Sequence, residues 1–241
     1  MIDWLKRDPA APHTIDLGDC LLPVSIRVHS RARRMTLRLA PDGSEARITI
    51  PRWCSTREAL DFAASRAGWL AGHRKAIPPP AVIADGANLA FRGAAHRISH
   101  SESAPRKVRI ENGSILAGGP AESLPNRLAR AFQREARVLL TQDLADYCAK
   151  AGREAAALSL SSALRRWGSC ATSGAIRINW RLIMAPDAVR RSVVAHEVAH
   201  LTHFDHSPAF HACLAELYEG DIAEADQWLK REGRSLYHPF G

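Results

Sequence analysis

The segment Arg191–Leu201 contains the pattern H-E-x-x-H, formed by His196, Glu197 and His200. Residues four positions apart lie on one face of an α-helix, about one turn from each other, so both imidazoles can reach one metal ion. Glu197 follows the first histidine and can accept a proton from a water molecule that a zinc ion has made more acidic. The other residues inside the motif are valines and alanines, and an unpaired glutamate among them would be costly if it had no function. The pattern predicts a buried helix carrying a zinc site, the alternative being two histidines on an ordinary amphipathic helix.

A catalytic zinc site has three protein ligands and keeps its fourth position open for water. His206 can supply the third ligand if the chain turns back after Leu201, because Ser207-Pro208 then forms the N-cap and first turn of the next helix. His203 is the alternative, since it stays on the same side if the helix continues. His211 is expected to lie behind the ligands or on the surface. Acidic residues of the later helices are further candidates: Glu216, Glu219 and Glu224.

The remaining composition is that of an ordinary globular protein of 241 residues, with 46% hydrophobic and 24% charged residues. Its five cysteines are scattered and form no C-x-x-C pair, which argues against a disulfide framework and against a thiolate zinc site. No apolar run approaches the roughly 20 residues that span a bilayer, and the N-terminus lacks the apolar segment of a signal peptide. We therefore expect a cytoplasmic protein with no membrane segment; no pattern indicates an oligomeric state.

Three regions differ in their predicted secondary structure. Residues 1–80 are predicted to form β-strands, with a hairpin turn at Pro41-Asp42-Gly43, followed by one helix. Ser55 or Thr56 can cap this helix, which runs to about residue 71 and ends before a stiff connector that contains the three prolines 78–80. Residues 81–120 are predicted to form short strands, with a second hairpin at Asn112-Gly113.

Residues 121–241 contain the H-E-x-x-H motif and are predicted to form the catalytic domain. Clean alternation of apolar and polar residues predicts a strand over 175–183, and helical spacing predicts helices over 123–151, 186–201, 208–218 and 222–232. Gly152 is the expected stop of the first of these helices. The fold class is therefore predicted as α+β, a catalytic domain preceded by a β-rich N-terminal region.

The formal net charge of +8 favours polyanionic partners such as nucleic acid. The densest basic run comprises His29, Arg31, Arg33, Arg34 and Arg38. These residues alternate along predicted strands, so one side could present a basic stripe to a polyanion. The alternative is the solvated outer face of a hairpin.

Several segments of the second half of the chain form a recognisable set of motifs: Arg166–Cys170, Ile176–Ile183, Ala185-Pro186, Val194–Leu201 and His206–Phe210. Together they resemble the YgjP-like metallopeptidase family, a bacterial group of zincin-like metal-dependent hydrolases. The similarity extends from Arg31–Leu39 to Trp228–Gly233, and the histidine spacing is similar to that of SprT-type and Wss-type proteases.

The resemblance implies zinc held by His196, His200 and His206, with Glu197 as general base and a protein or peptide as substrate. It also implies that the strand 175–183 is an edge strand beside the cleft, which binds an extended peptide through main-chain hydrogen bonds. The metzincin pattern has glycine where this chain has His203, so the resemblance does not extend to that group. The loop Trp167–Cys170 could border the cleft, with Cys170 near the metal as an inhibitory thiolate, or it could be a buried structural loop.

Two other functions remain open at this point. The resemblance also admits a nucleoside triphosphate pyrophosphatase acting on a UTP-like substrate, because activated water can attack phosphorus as well as a carbonyl group. The arginine surplus suits a triphosphate, although the chain has no Walker-type phosphate-binding loop. The third possibility is a non-catalytic, zinc-containing module that binds nucleic acid or protein. Glu197 counts against it, because a structural zinc site does not need a general base.

Overall fold

The chain forms two compact units, Met1–Pro79 and Pro80–Gly241, each with its own hydrophobic core. The computed structural model describes residues 13–40, 43–75 and 82–240. Most of the predicted turn at 41–43 and the proline connector therefore lie outside the described residues. Among the described residues, no helix is both long and apolar enough to cross a membrane.

The first unit contains a four-stranded sheet in the order β1-β2-β4-β3. Strands β2 and β4 are parallel, and the other neighbouring pairs are antiparallel. Leu37 pairs with Ile48, which confirms the predicted pairing of these two strands. Along β4 the residues on one face are buried, including Ile48 and Ile50, whereas Arg47 between them is exposed. The strands are β1 (His13–Asp16), β2 (Leu21–Val28), β3 (Thr36–Leu39) and β4 (Ala46–Ile50).

Two helices follow the sheet, α1 (Thr56–Ala64) and α2 (Ala67–Lys75), where the sequence predicted one. Ser55 begins α1 through a reciprocal capping box with Glu58. The break falls at Ser65, whose hydroxyl donates to the carbonyl of Phe62 at 2.7 Å and so competes with continued helix bonding. The apolar spacing thus predicts the helical residues but not this side-chain hydrogen bond, which separates the two helices.

The second unit begins with a four-stranded sheet in the order β5-β6-β8-β7. Asn112 and Gly113 both have positive φ, +49° and +71°, as a two-residue hairpin turn requires, which confirms the predicted hairpin. Buried residues of this sheet belong to the same core as the helices that follow. Residues 81–120 therefore share a core with residues 121–240. The strands are β5 (Asn88–Phe91), β6 (Ala94–Ser101), β7 (Arg109–Glu111) and β8 (Ser114–Gly118).

The long helix α3 (Leu124–Lys150) forms the centre of the second unit's core. It ends as predicted at Gly152, which adopts φ +64°. The Gly152 N–H donates to the carbonyl of Ala149 at 3.1 Å, and the Arg153 N–H donates to that of Cys148 at 2.9 Å. This pair of bonds is a Schellman motif, which satisfies the last carbonyl groups of the helix.

A three-stranded sheet follows α3, in the order β10-β11-β9. Its strands are β9 (Leu158–Ser161), β10 (Gly168–Cys170) and β11 (Ile176–Asn179). The expectation that residues 175–183 form one edge strand is wrong on both counts. Strand β11 lies in the middle of the sheet, and from Trp180 to Met184 the chain is a 3-10 helix. The Asn179 side chain ends the strand by accepting a hydrogen bond from the Arg181 N–H at 3.1 Å.

The last part of the chain is helical and agrees with the prediction to within about two residues, the usual scatter of helix ends. Ser207 caps α5 by accepting a hydrogen bond from the N–H of Phe210, as the Ser-Pro pair predicted. Helices and a mixed set of sheets in one chain confirm the α+β class, with a β-rich N-terminal region. The helices are α4 (Asp187–Ala199), α5 (Pro208–Leu217) and α6 (Ile222–Glu232), followed by a 3-10 helix, Gly233–Tyr237.

Candidate metal centre

Helix α4 carries the H-E-x-x-H motif in its last turns. Its apolar residues pack into the core of the second unit, and Val194, Ala195 and Val198 are fully buried. His196 lies in the last turn, and His200 is the C-cap residue. The helix therefore holds two imidazoles one turn apart on a rigid, buried support, as the sequence predicted.

The structure brings His196, His200 and His206 together. The Nε2 atom of His196 lies 3.2 Å from Nε2 of His200 and 3.4 Å from Nε2 of His206. The ligand atoms of all three residues lie within 4.8 Å of one another. Three nitrogens bound to one zinc ion in tetrahedral geometry, at about 2.0–2.1 Å from it, are about 3.3–3.4 Å apart. The two separations from His196 therefore match those expected of ligands on one zinc ion.

His203 contributes its backbone to this cluster, and its ring is not among the grouped ligand atoms. Its carbonyl oxygen lies 2.9 Å from Nδ1 of His200. With the proton on Nδ1, His200 donates to this carbonyl and keeps the lone pair of Nε2 for a metal ion. Among the described residues, the ring of His206, and not that of His203, therefore lies with the rings of His196 and His200.

Burial, and then the charges of the neighbouring His200, His206 and His211, together lower the pKa of His196 to about 4. His196 is therefore neutral near pH 7, which is the form that binds a metal.

Phe210 was not singled out from the sequence, yet it lies under all three histidines. Its ring centroid is 5.0 Å from that of His196, 4.6 Å from that of His200 and 4.9 Å from that of His206. The side chain is fully buried at the start of α5. It gives the cluster an apolar floor that restricts how the imidazoles can rotate. Its position in the first turn of the helix that follows His206 was the available signal.

Glu197 faces strand β10, which approaches it very closely at Gly168. A Cβ atom built on Gly168 would lie 2.7 Å from Cγ and Cδ of Glu197, so only glycine fits there. Burial raises the pKa of Glu197 to about 7, although the backbone N–H of Cys170 and the charge of Arg166 act in the opposite direction. The sequence predicted that the loop Trp167–Cys170 could border the cleft, but it did not indicate this contact between Gly168 and Glu197.

Two cavities flank the histidines, and both are lined by Gly168, His196, Glu197 and His206. The larger, of about 390 Å³, lies between α4, α5 and α6. Its remaining lining is mostly apolar, with Ser192, His211 and Asp226 as polar members. The smaller, of about 300 Å³, is lined by all three residues of β10. The loop Trp167–Cys170 therefore borders the cleft.

Cys170 does not belong to the group of metal-ligating atoms found among the described residues. Burial, and then the charge of Glu197, raise the pKa of its thiol. The thiol form is thus favoured over the thiolate that would bind a metal.

A family model for the YgjP-like metallopeptidase domain matches residues 33–232. The chain belongs to the YgjP-like metallopeptidase family. This membership makes it a metal-dependent hydrolase of the metallopeptidase type. Comparison with curated proteins and with solved structures gave no match.

In this YgjP-like chain, α4 is fixed to α3 through buried charges at the end away from the histidines. Arg190 and Asp143 are both almost fully buried, with Arg190 Nε 2.7 Å from Asp143 Oδ2. Arg191 contacts the same carboxylate at 3.1 Å and reaches Glu219 at 2.7 Å. Glu219 also accepts from Tyr147 and Lys150. The Glu219 carboxylate is therefore paired with Arg191, Tyr147 and Lys150. Among the described residues, neither Glu219 nor the other two candidates, Glu216 and Glu224, belongs to the histidine group.

We expect Asp143→Ala to lower the free energy of unfolding by about 3–5 kcal/mol, because the change leaves the Arg190 guanidinium buried without this partner. Urea denaturation followed by circular dichroism measures the effect. The matched variant Asp143→Ala/Arg190→Met removes both buried charges and should recover part of the loss. A loss below about 1 kcal/mol for the single variant, the value of an exposed pair, would contradict the role given to this pair.

Proposed function

We propose that this chain is a zinc-dependent peptidase in which His196, His200 and His206 hold the metal ion and Glu197 is the general base. The proposal rests on one observation above all: three Nε2 atoms converge, and the Glu197 carboxylate lines the same cavities. Zinc bound by three histidines acts as a Lewis acid and lowers the pKa of water towards about 7.

Glu197 supplies the proton transfer that peptide hydrolysis needs. Its carboxylate accepts a proton from the attacking water and returns it to the nitrogen of the leaving amine. The Cys170 N–H bonds to this carboxylate and orients it, and Gly168 leaves the room in which it sits. The metal-ligating histidines and the base are thus held by α4 and β10, with the third histidine on the turn before α5.

Strand β10 supports a peptide as the substrate. It pairs with β11 on one side, and no strand among the described residues pairs with its other side. All three of its residues line the smaller cavity beside His200 and Glu197. An extended peptide can add to such an edge through main-chain hydrogen bonds. In this proposal β10, and not residues 175–183, is the edge strand that binds an extended peptide.

The lining of the two cavities argues against a nucleoside triphosphate. Among the described residues, neither cavity is lined by lysine or arginine, which bind phosphate groups most strongly, while Glu197 and Asp226 contribute negative charge. The walls of the larger cavity include Val193, Leu214 and Ile222, which suit an apolar side chain of a peptide.

The test is a substrate screen with zinc-loaded protein and its Glu197→Gln variant. Both are incubated with a degenerate peptide library, analysed by mass spectrometry, and with UTP, analysed for released phosphate and pyrophosphate. We expect peptide products that the variant does not form. Turnover of UTP that depends on Glu197, without cleavage of any peptide, would show that the substrate class is wrong.

Gly168→Ala should lower peptide turnover at least about tenfold while leaving the metal content unchanged. The added methyl group displaces the Glu197 carboxylate or moves β10 away from it, and a catalytic group misplaced by about 1 Å can cost on the order of a hundredfold. Gly68→Ala is the matched control, because its added Cβ meets nothing within 4 Å. Full activity of Gly168→Ala would refute the close packing of β10 on the base.

A further inference from the structure

One end of the sheet in the first unit is covered by exposed arginines. The segments after β2, before β3 and after β4 meet there, because β2 and β4 are parallel and β3 is antiparallel to β4. His29 N–H donates to the carbonyl of Ile50 at 2.9 Å, and Cys54 Sγ lies 3.4 Å from Met35 Sδ. These contacts join the two loops at this end. We name the exposed residues of the two loops the arginine patch: Arg31, Arg33, Arg34, Arg52 and Trp53.

The positive charge of the arginine patch is not compensated locally. None of its four guanidinium groups has an ion-pair or hydrogen-bond partner among residues 13–40, 43–75 and 82–240. The carboxylate of Glu58 is occupied by the capping box with Ser55, and Glu45 is paired with Arg47 at 2.6 Å. Four unpaired arginines on two adjoining loops create a positive potential that attracts a polyanion.

Trp53 adds a flat aromatic surface to these charges. Its side chain is 74% exposed, although a tryptophan normally buries most of its large apolar area. An exposed indole beside cations is the combination with which proteins bind unpaired bases, because every base can stack on the ring while arginines hold the phosphates. A duplex keeps its bases stacked on each other and offers the ring no such partner.

The basic surface continues onto the sheet. Arg38 on β3 pairs directly with Arg47 on β4, and both are exposed, as is Arg27 on β2. Like charges directly opposite each other in a sheet are destabilising unless something compensates them. Glu45 does so for Arg47, while Arg27 and Arg38 have no such partner among the described residues. The sheet thus offers further phosphate contacts to a strand that leaves the arginine patch.

We propose that the arginine patch binds single-stranded nucleic acid, with the arginines on the phosphates and Trp53 stacked on a base. The proposal is independent of the hydrolytic site, and its test uses no catalytic readout. The two observations that carry it are the uncompensated charge and the exposed indole at the same end of one sheet.

The test is fluorescence anisotropy of a fluorescein-labelled 20-nucleotide oligo(dT) or oligo(U) titrated with the full chain over a series of salt concentrations. Comparing the affinities for oligo(dT) and oligo(U) shows whether the patch prefers DNA or RNA. Trp53→Ala should weaken binding about 5- to 150-fold, the value of one lost stacking contact, and Trp53→Phe should restore most of it. Replacing Arg31, Arg33 and Arg34 together by glutamine should reduce the slope of log K against log salt by about 2.

A second set of three arginines provides a control that changes the net charge by the same amount. Arg130, Arg134 and Arg137 are exposed on α3, and replacing all three by glutamine removes the same net charge from another surface. Trp69→Ala is the control for the loss of an exposed indole, since Trp69 is 45% exposed on α2. Equal weakening by patch and control variants would refute the proposal, as would equal affinity for a duplex of the same length. Thermal unfolding of each variant establishes that the exposed substitutions leave the fold intact.

Discussion

His196→Ala is expected to release the metal ion from the protein. Purified wild-type chain should contain about one zinc ion per chain by elemental analysis, as a three-histidine site predicts, and the variant should contain almost none. The physical reason is the central position of His196, whose Nε2 lies 3.2 Å and 3.4 Å from the other two Nε2 atoms. Removing it leaves two ligands that no longer surround the ion.

The variants His206→Ala and His203→Ala test which histidine is the third ligand. Both remove one imidazole from the turn after α4, but only His206 places its ring in the cluster. We expect His206→Ala to lose the metal and His203→Ala to retain it, because His203 contacts His200 through its backbone carbonyl. Chelation should lower the melting temperature of the wild type and of His203→Ala and leave that of His196→Ala unchanged. Metal loss in His203→Ala together with retention in His206→Ala would contradict the ligand set.

Glu197→Gln is expected to keep the metal and to lose turnover by about 10²–10⁴-fold, the usual contribution of a general base. Glutamine has nearly the same shape and still accepts a hydrogen bond from the Cys170 N–H, but it cannot take up the proton of the attacking water. Initial rates on a peptide that the wild type cleaves measure the effect, and metal analysis of the same samples shows whether the site is intact.

Glu216→Gln is the matched control for this substitution. Glu216 is exposed on α5 and lines neither cavity at the histidines, so its replacement should leave both the rate and the metal content unchanged. Equal rates for Glu197→Gln and the wild type would refute the role of Glu197 as base. Loss of metal from Glu197→Gln would instead give Glu197 a part in holding the ion.

These two predictions separate metal binding from catalysis in a member of the YgjP-like family. If the chain holds zinc without catalysing a reaction, His196→Ala should still remove the metal ion, while Glu197→Gln should have no measurable effect. The buried position of Glu197 against Gly168 favours catalysis, because a structural site has no need of a carboxylate packed so closely beside it.

The sequence by itself determined the parts of this protein that depend on local periodicity. The i, i+4 spacing of His196 and His200 placed two imidazoles on one helix face whatever the rest of the chain does. The Asn112-Gly113 turn and the Gly152 stop were equally local, because each depends on a residue that tolerates positive φ. Such features are encoded within a few residues and could be read without the fold.

Only the tertiary structure decided what depends on contacts between distant segments. Spacing allowed either His203 or His206 to join His196 and His200, and the turn between α4 and α5 places the His206 ring beside them. Alternation marked residues 175–183 as a strand, but strand order put β11 in the middle of its sheet and β10 at the edge beside Glu197. Period-2 patterning shows which face of a strand is buried and does not show which strand lies beside it. The sequence thus predicted that His196 and His200 share one face of α4. Packing between distant segments determined the position of His206 beside them, the contact with Phe210 and the close approach of Gly168 to Glu197.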